Sequence, residues 1–260
     1  LGLTNAETLG FVPVELLLLR SHDYGRNWST PSTIAPPLTG PAFEMCSPIT
    51  PLSDGRWLLP TQTWPSWNGE CENGIKMIAL VSHDEGKTWP EYLDVMSEDG
   101  NVYFWESKIV EFPNGDLLAV AWVYDDDKSE DRTNHFSISK DGGRTWSTPA
   151  TTGLVGQTMT PILMDDNSIL SIYRRMDSPG LWANISHLEN NEWINDSELP
   201  LWGNQSQGLV STSENMSHNF TALKFGAPSI CRLENGDYFV AFWCYEEMQS
   251  VIRWFKLKIA

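Results

Sequence analysis

Ser21-His-Asp-Tyr-Gly-Arg-Asn-Trp28, Ser82-His-Asp-Glu-Gly-Lys-Thr-Trp89 and Ser139-Lys-Asp-Gly-Gly-Arg-Thr-Trp146 are three copies of one octapeptide, Ser-x-Asp-x-Gly-x-Thr/Asn-Trp. Recurrence at near-regular spacing is the signature of stacked structural repeats, so each copy is expected at the same place in its own unit. A fourth segment, Ser186 to Trp193, keeps the terminal Ser and Trp but has lost the Asp and the Gly, and reads as a decayed copy. The chemistry of the octapeptide is local. Asp23, Asp84 and Asp141 are suited to accept backbone N–H bonds within their own turns, the glycine admits positive φ, and Trp28, Trp89 and Trp146 are expected to plug the space beneath. These residues read as structural.

Between the copies a second pattern recurs: Leu52-Ser-Asp-Gly-Arg-Trp57, Phe112-Pro-Asn-Gly-Asp116, Met164-Asp-Asp-Asn-Ser168 and Leu233-Glu-Asn-Gly-Asp237. Each is a turn flanked by apolar runs of strand length, which predicts four hairpins. The octapeptide resembles the Asp-box, or BNR, repeat of the sialidase superfamily, and nearly the whole chain is similar to an uncharacterised, sialidase-like branch of it. That resemblance implies an all-β fold, a β-propeller of the six-bladed sialidase type with about five blades represented, as a single domain over residues 1–260. The units fall at 13–36 (a half-blade), 43–96, 103–152, 157–202 and 224–258, with 203–219 expected as a surface loop. An N-terminal blade, or part of one, is expected to be missing from the ring.

Composition agrees. Thirteen Trp, 19 Gly and 16 Pro in 260 residues suit short strands joined by tight turns. A net charge of −17 repels a phosphate backbone, so nucleic acid is not an expected partner. The longest apolar run, Val14 to Leu19, is too short to span a bilayer. Cys46, Cys71, Cys231 and Cys244 lack CxxC spacing and the acidic loop lacks a D-x-D-x-D-G pattern, so no metal site and no cofactor are expected. One disulfide, Cys46 to Cys71, is compatible with the spacing. Sequons at Asn27, Asn184, Asn195, Asn204, Asn215 and Asn219 suit a secreted protein.

Strand alternation separates the faces of such a disc. Hairpin turns and octapeptides share one face, so a site belongs on the opposite one, where innermost strands begin and second strands end. The segments there are Phe43-Glu44, Trp105-Glu106, Gly156-Gln-Thr158, Phe225-Gly226, Thr61-Gln-Thr-Trp64, Trp122 to Asp127, Tyr173-Arg-Arg175 and Trp243 to Glu247. Carboxylates, Arg, Tyr and Trp on one concave face are what glycoside hydrolysis uses. Glu106 is the leading catalytic candidate, beside apolar Trp105 and Ile109 that would raise its pKa, with a bland reading as a structural ion-pair partner. Asp125 is a candidate general acid from the acidic loop that ends at Arg132, Glu246 a second carboxylate, and Tyr245 its neighbour. Substrate-binding candidates are Arg174 and Arg175, of which alternation lets one reach the funnel, with Arg132, Gln157, Gln62, Glu44, His135 and Trp64. Trp64 and Trp182 are candidate sugar platforms.

The resemblance implies a sialidase-like glycoside hydrolase acting on a terminal glycan residue, with a glycan as partner. Two departures stand against a full sialidase site. No early Arg-Ile-Pro segment is present, and Phe225-Gly226-Ala227 stands where that family carries its nucleophilic Tyr. The alternatives are a non-catalytic glycan-binding propeller and a structural or assembly module, including a homo-oligomer.

Overall fold

The computed structural model describes residues 2–40, 42–211, 213 and 216–259. In chain order, β1 (Leu16–Leu18) and β2 (Ser32–Ile34) make a separate two-stranded ribbon. β3 (Thr50–Pro51), β4 (Trp57–Gln62), β5 (Met77–Ser82) and β6 (Glu91–Met96) form the first blade. The second holds β7 (Val102–Glu111), β8 (Leu117–Asp125), β10 (His135–Ser139) and β11 (Ala150–Thr151), with the short β9 (Glu130–Asp131) folded back on β8. β12 (Gly156–Leu163), β13 (Ile169–Arg175), β14 (Gly180–Glu189) and β15 (Glu192–Trp202) are the third blade. The fourth has three strands, β16 (Phe225–Arg232), β17 (Tyr238–Glu246) and β18 (Gln249–Leu257). The chain is thus an all-β protein with four blades in a propeller arrangement. Among the described residues, no helix is long and apolar enough to cross a membrane.

The four hairpin turns close alike. The N–H of Leu52, Phe112, Met164 and Leu233 donates to the carbonyl four residues on, at 2.8 to 2.9 Å, and the third turn residue takes positive φ (Gly55, Gly115, Asn167, Gly236). Only Gly or Asn adopts that conformation cheaply, which is why these residues stand there. In the octapeptides the Asp does what its position dictates. Asp84 accepts from the Thr88 backbone N–H at 2.8 Å and from the Thr88 hydroxyl at 2.7 Å, and Asp141 repeats this with Thr145. These donors hold both carboxyls down at about 2. The tryptophans divide. Trp89 is buried and Trp146 half-buried, whereas Trp28, in the ribbon, is 61 % exposed. The expectation that all three plug a core is therefore corrected for Trp28, whose two-stranded sheet has no blade layer beneath the ring.

The decayed copy shows what the lost residues did. Asn190 and Asn191 both take positive φ and close a two-residue hairpin between β14 and β15, replacing the Asp-centred turn. Trp193 keeps its old place, buried against Phe136 at 5.4 Å between centroids. The surface loop expected over 203–219 is corrected at its end, where α1 (Met216–Ala222) forms. Met216 and Phe220, four residues apart, share one helix face, and Phe220 packs on Trp105 and Trp122 at 5.6 and 6.2 Å. The Cys46–Cys71 bridge is also corrected: both thiols are free, and Cys71 instead donates to the Gly74 carbonyl. Of the sequons, Asn184 is buried, and Asn215 lies outside the described residues.

The blades bury one continuous set of apolar interfaces. Leu117, Ala119, Ala121 and Val123 of β8 pack toward the first blade, while Leu118 and Val120 pack toward the third. A strand covered on both faces needs both parities apolar, and all nine residues of β8 are buried. On β17 only one parity is covered: Tyr238, Val240, Phe242 and Cys244 pack on the third blade, and Phe239, Ala241 and Trp243 do not.

Candidate active site

The innermost strands carry a repeated irregularity that aims side chains at the propeller axis. β7, β12 and β16 each slip register just past an analogous pair, Trp105 with Trp122, Gln157 with Arg174 and Gly226 with Trp243. The next residue in each, Glu106, Thr158 and Ala227, takes positive φ of 50°, 53° and 47°. A bulge redirects the side chain out of the alternating pattern, a common device next to sites. In the first blade Phe43 makes an isolated antiparallel bridge with Thr63 ahead of β3, and Glu44 follows it as Glu106 follows Trp105, without the positive φ. Adjacent blades therefore deliver two glutamates to one place.

There the Glu106 backbone N–H donates to Glu44 Oε2 at 2.7 Å. One carboxylate oxygen of each glutamate and the Cys46 sulfur all lie within 4.8 Å of one another. Glu106 Oε2 is buried without a hydrogen-bond partner. Lys108, buried two residues on, donates its ammonium to the Glu106 carbonyl at 2.8 Å. Burial first, and then the charge of Glu106, push the Glu44 carboxyl up to about 8, so Glu44 carries a proton at neutral pH. Burial also raises Glu106, but the positive charges of Arg174 and Lys108 act against that shift. Enclosure of its sulfur, then the charges of Glu44 and Glu106, push the Cys46 thiol upward.

Arg174 is the inward member of its pair, as alternation required. It is 2 % exposed, with Nε donating to Gln157 Oε1 at 2.9 Å and Nη1 to the Phe225 carbonyl at 3.0 Å. Room for it comes from Gly226, where a Cβ would lie 2.0 Å from Arg174 Nη1. Gln157 passes the network on, donating to Asp131 Oδ2 at 2.9 Å, while Trp122 Nε1 donates to Asp131 Oδ1 at 2.7 Å. Burial raises Asp131 despite both donors. Asp131 was not singled out in the sequence. It is one of several acidic residues in one loop, and only the two-residue pairing of β9 with β8 distinguishes it.

A cleft of about 490 Å³ opens on this group, lined by the inner segments of all four blades. Cys46, Glu106, Lys108, Thr158 and Thr160 stand along it, with exposed Met45 and Pro48 on one rim and exposed Ala227 and Ser229 on the other. The opposite mouth is filled. Trp64, Tyr103, Trp105, Trp122 and Tyr124 form a buried aromatic cluster with Leu9 and Met216, and Trp64 donates its indole N–H to the Leu9 carbonyl at 2.6 Å. Trp64 thus serves as packing at that mouth, and no sugar face is open there.

The other candidates lie apart from the pair. Asp125 is buried in an ion pair with Lys128, and Glu246 is held by Arg253 and by Trp202 Nε1 at 3.1 Å. Tyr245 is exposed beside the Lys224 ammonium. Arg175 points outward to Asp177 and Glu198 and covers the face of Trp182 at 4.5 Å. Arg132 pairs with Glu98 and donates to His135 Nε2, whose Nδ1 meets the Thr133 carbonyl. That geometry fixes a neutral imidazole, and burial lowers its pKa further. Gln62 Oε1 accepts from the Phe104 N–H at 2.7 Å, which ties the first blade to β7.

The model of the BNR repeat-like domain matches residues 7–240 of this chain. The chain belongs to that family. No curated protein matches this BNR repeat-like chain in sequence. Among solved structures it is similar to a protein of unknown function from Dyadobacter fermentans, with a TM-score of 0.68 and 21 % identity, covering 94 % of this chain and 64 % of that one. The K499G mutant of NanB sialidase from Streptococcus pneumoniae gives 0.65 and 14 %, covering 94 % and 36 %. A xylan β-1,4-xylosidase from Bacillus halodurans gives 0.51 and 12 %, covering 80 % and 40 %. The BNR repeat-like chain thus shares the sialidase-like propeller fold and spans less than two thirds of these relatives' lengths.

Proposed function

We propose that this BNR repeat-like chain carries the site of a sialidase-like glycoside hydrolase acting on a terminal glycan residue. The observation that carries the reading is the pair Glu44–Glu106, with carboxylate oxygens within 4.8 Å of one another across adjacent blades, and with Glu106 lining the axial cleft. Two carboxyl groups facing one another are the working parts of such hydrolysis. Glu44, holding a proton at neutral pH, is the general acid. Glu106, whose carboxyl burial raises while the charges of Arg174 and Lys108 act against the rise, is the nucleophile or base. Their spacing is nearer the roughly 5–5.5 Å of retaining enzymes than the roughly 6.5–9.5 Å of inverting ones. The absence of a Tyr at Phe225-Gly226-Ala227 fits a carboxylate in the nucleophile's role. Arg174, enclosed by Gln157 and Phe225, acts as a positioning residue that biases Glu106.

In the same reading the four blades and the β1–β2 ribbon are about five blades of a six-bladed ring of the sialidase type, within one domain over 1–260. The fold of the compared sialidases and xylosidase supports a glycan ligand. The test is turnover of a panel of fluorogenic glycosides by wild type, Glu106→Gln and Glu44→Gln. Loss of kcat by about 10²–10⁴-fold in each variant, with KM little changed, is the expected result. Glycan binding with no turnover in wild type would replace hydrolysis by the non-catalytic binding propeller, and turnover that survives Glu106→Gln would remove Glu106 from the reaction.

A further inference from the structure

Two features of the axial cluster are not needed for hydrolysis. The first is the Cys46 sulfur, which completes a triangle of donor atoms with Glu44 and Glu106, all within 4.8 Å. The second is Thr158, 2 % exposed, whose hydroxyl lines the same cleft and has no hydrogen-bond partner. A buried hydroxyl left unpaired costs free energy unless something in the cleft meets it. Glu106 Oε2 is in the same condition, buried and unpartnered. Unmet oxygen donors thus face one space from β7 and β12, with a thiol at its rim.

We propose that Glu44, Cys46 and Glu106 form a binding site for a thiophilic divalent cation of the zinc class, which turns off the hydrolytic site by occupying its carboxylate pair. The regulatory half of this inference rests on the hydrolase reading above, and the binding half does not. Donors around a tetrahedral zinc stand roughly 3.3–3.8 Å apart, given bonds of about 2.0–2.3 Å, so from separations within 4.8 Å the side chains draw in by at most about 1.5 Å. That is within reach of glutamate rotamers, and Cys46 lies on the exposed segment ahead of β3. Three protein donors leave the fourth position for a water, which Thr158 is placed to meet. A thiolate and two carboxylates select zinc or cadmium over magnesium or calcium, which take oxygen donors only. On binding, the Cys46 S–H bond and the Glu44 O–H bond break, both protons pass to solvent, and metal–sulfur and metal–oxygen bonds form, with no change of oxidation state.

Charge sets the strength of the site. Lys108 on β7 and Arg174 on β13 both act on Glu106. The cleft-lining residues of β12 and β16, Thr158, Thr160 and Ala227 to Ile230, bring no charge. Two neighbouring cations oppose a third, so the site is expected to bind more weakly than a structural zinc centre and to fill reversibly. With one side held by the metal, neither glutamate is free to pass a proton or attack, which gives inhibition rather than activation.

The experiment titrates the whole chain with cadmium and follows the ultraviolet charge-transfer band of a cadmium–thiolate bond, which does not depend on turnover. One equivalent is expected to develop the band in wild type and in Cys71→Ser, and none in Cys46→Ser. Zinc is expected to compete it away and calcium is not. As a measurement free of any variant, zinc is expected to protect Cys46 from alkylation in the wild-type chain, scored by peptide mass. A band that persists in Cys46→Ser, or alkylation of Cys46 indifferent to zinc, overturns the site. Zinc binding in a chain that hydrolyses none of the glycosides would leave the site standing and refute the hydrolase reading. Binding with undiminished turnover would refute the inhibitory role.

Discussion

The fold changes the chemistry of Glu44, and the change is measurable without a substrate. Its carboxyl, ordinarily ionising near 4.5, is raised to about 8 in the folded chain by burial and then by Glu106. The folded state therefore holds a proton that the unfolded state releases, so this contribution to stability is whole below about pH 4.5 and is lost as pH rises through about 8. Glu44→Gln keeps a neutral acceptor for the Glu106 N–H and has nothing to ionise. It is expected to melt above wild type at pH 8 and beyond, with the gap closing toward pH 5; a constant gap in Tm across that range would refute the shift. At Gly226 the argument is steric. A Cβ there meets Arg174 Nη1 at 2.0 Å on a backbone with φ of 157°, so Gly226→Ala is expected to cost about 2–4 kcal/mol in urea unfolding. Of the candidate site, the placement of Glu106, Glu44 and Arg174 was legible, because repeat register alone says which residues begin inner strands and which end second ones. The roles of Asp125, Glu246 and Trp64 were less so. Each ends or follows a second strand as register required, but the partners that occupy them (Lys128, Arg253, Leu9) come from local loops or distant segments whose approach no periodicity encodes.

At the scale of elements, one octapeptide sequence has two energetic meanings. Trp89 is 3 % exposed under a complete blade and Trp28 is 61 % exposed beside a two-stranded ribbon, although both follow the same Asp-centred turn. Trp89→Ala is expected to cost about 3–5 kcal/mol through lost burial and the cavity left behind, while Trp28→Ala should cost about 1 kcal/mol or less. Equal costs in chemical denaturation would mean that the ribbon buries its Trp in a layer as complete as a blade. This division also shows how far the sequence carried the fold. The four hairpin turns, strand order and blade limits follow from short-range chemistry, since a turn with Gly or Asn at positive φ and an Asp accepting from its own loop are decided within eight residues. Helix α1 was missed for the opposite reason. Its seven residues are too few to show a helical period, and it is held by Met216 and Phe220 against an aromatic cluster assembled from strands of two blades and the N-terminal segment.

For the whole molecule, the interesting surface is the uncovered side of the fourth blade. Strand β17 buries Tyr238, Val240, Phe242 and Cys244 against the third blade, and turns Phe239, Ala241, Trp243 and Tyr245 the other way. Register places Trp254 opposite Ala241 and Ile252 opposite Trp243, and these two are 62 % and 69 % exposed. Inner blade faces elsewhere in the chain have this composition and are covered, so water against this face is unfavourable. Opposing any association through it is a net charge of −17, whose mutual repulsion weakens as salt shortens the screening length from about 30 Å at 0.01 M to about 3 Å at 1 M. The two effects separate with ionic strength. Sedimentation is expected to show the smallest species at low salt and a growing larger species as salt rises, with hydrophobic dye binding falling in parallel as the face is covered. The double variant Ile252→Lys and Trp254→Glu adds one charge of each sign, so it leaves the net charge unchanged while removing the apolar surface. It should stay at the smallest species throughout. If it associates with salt as wild type does, the attraction lies on another surface and the fourth blade's open side is not what brings copies together.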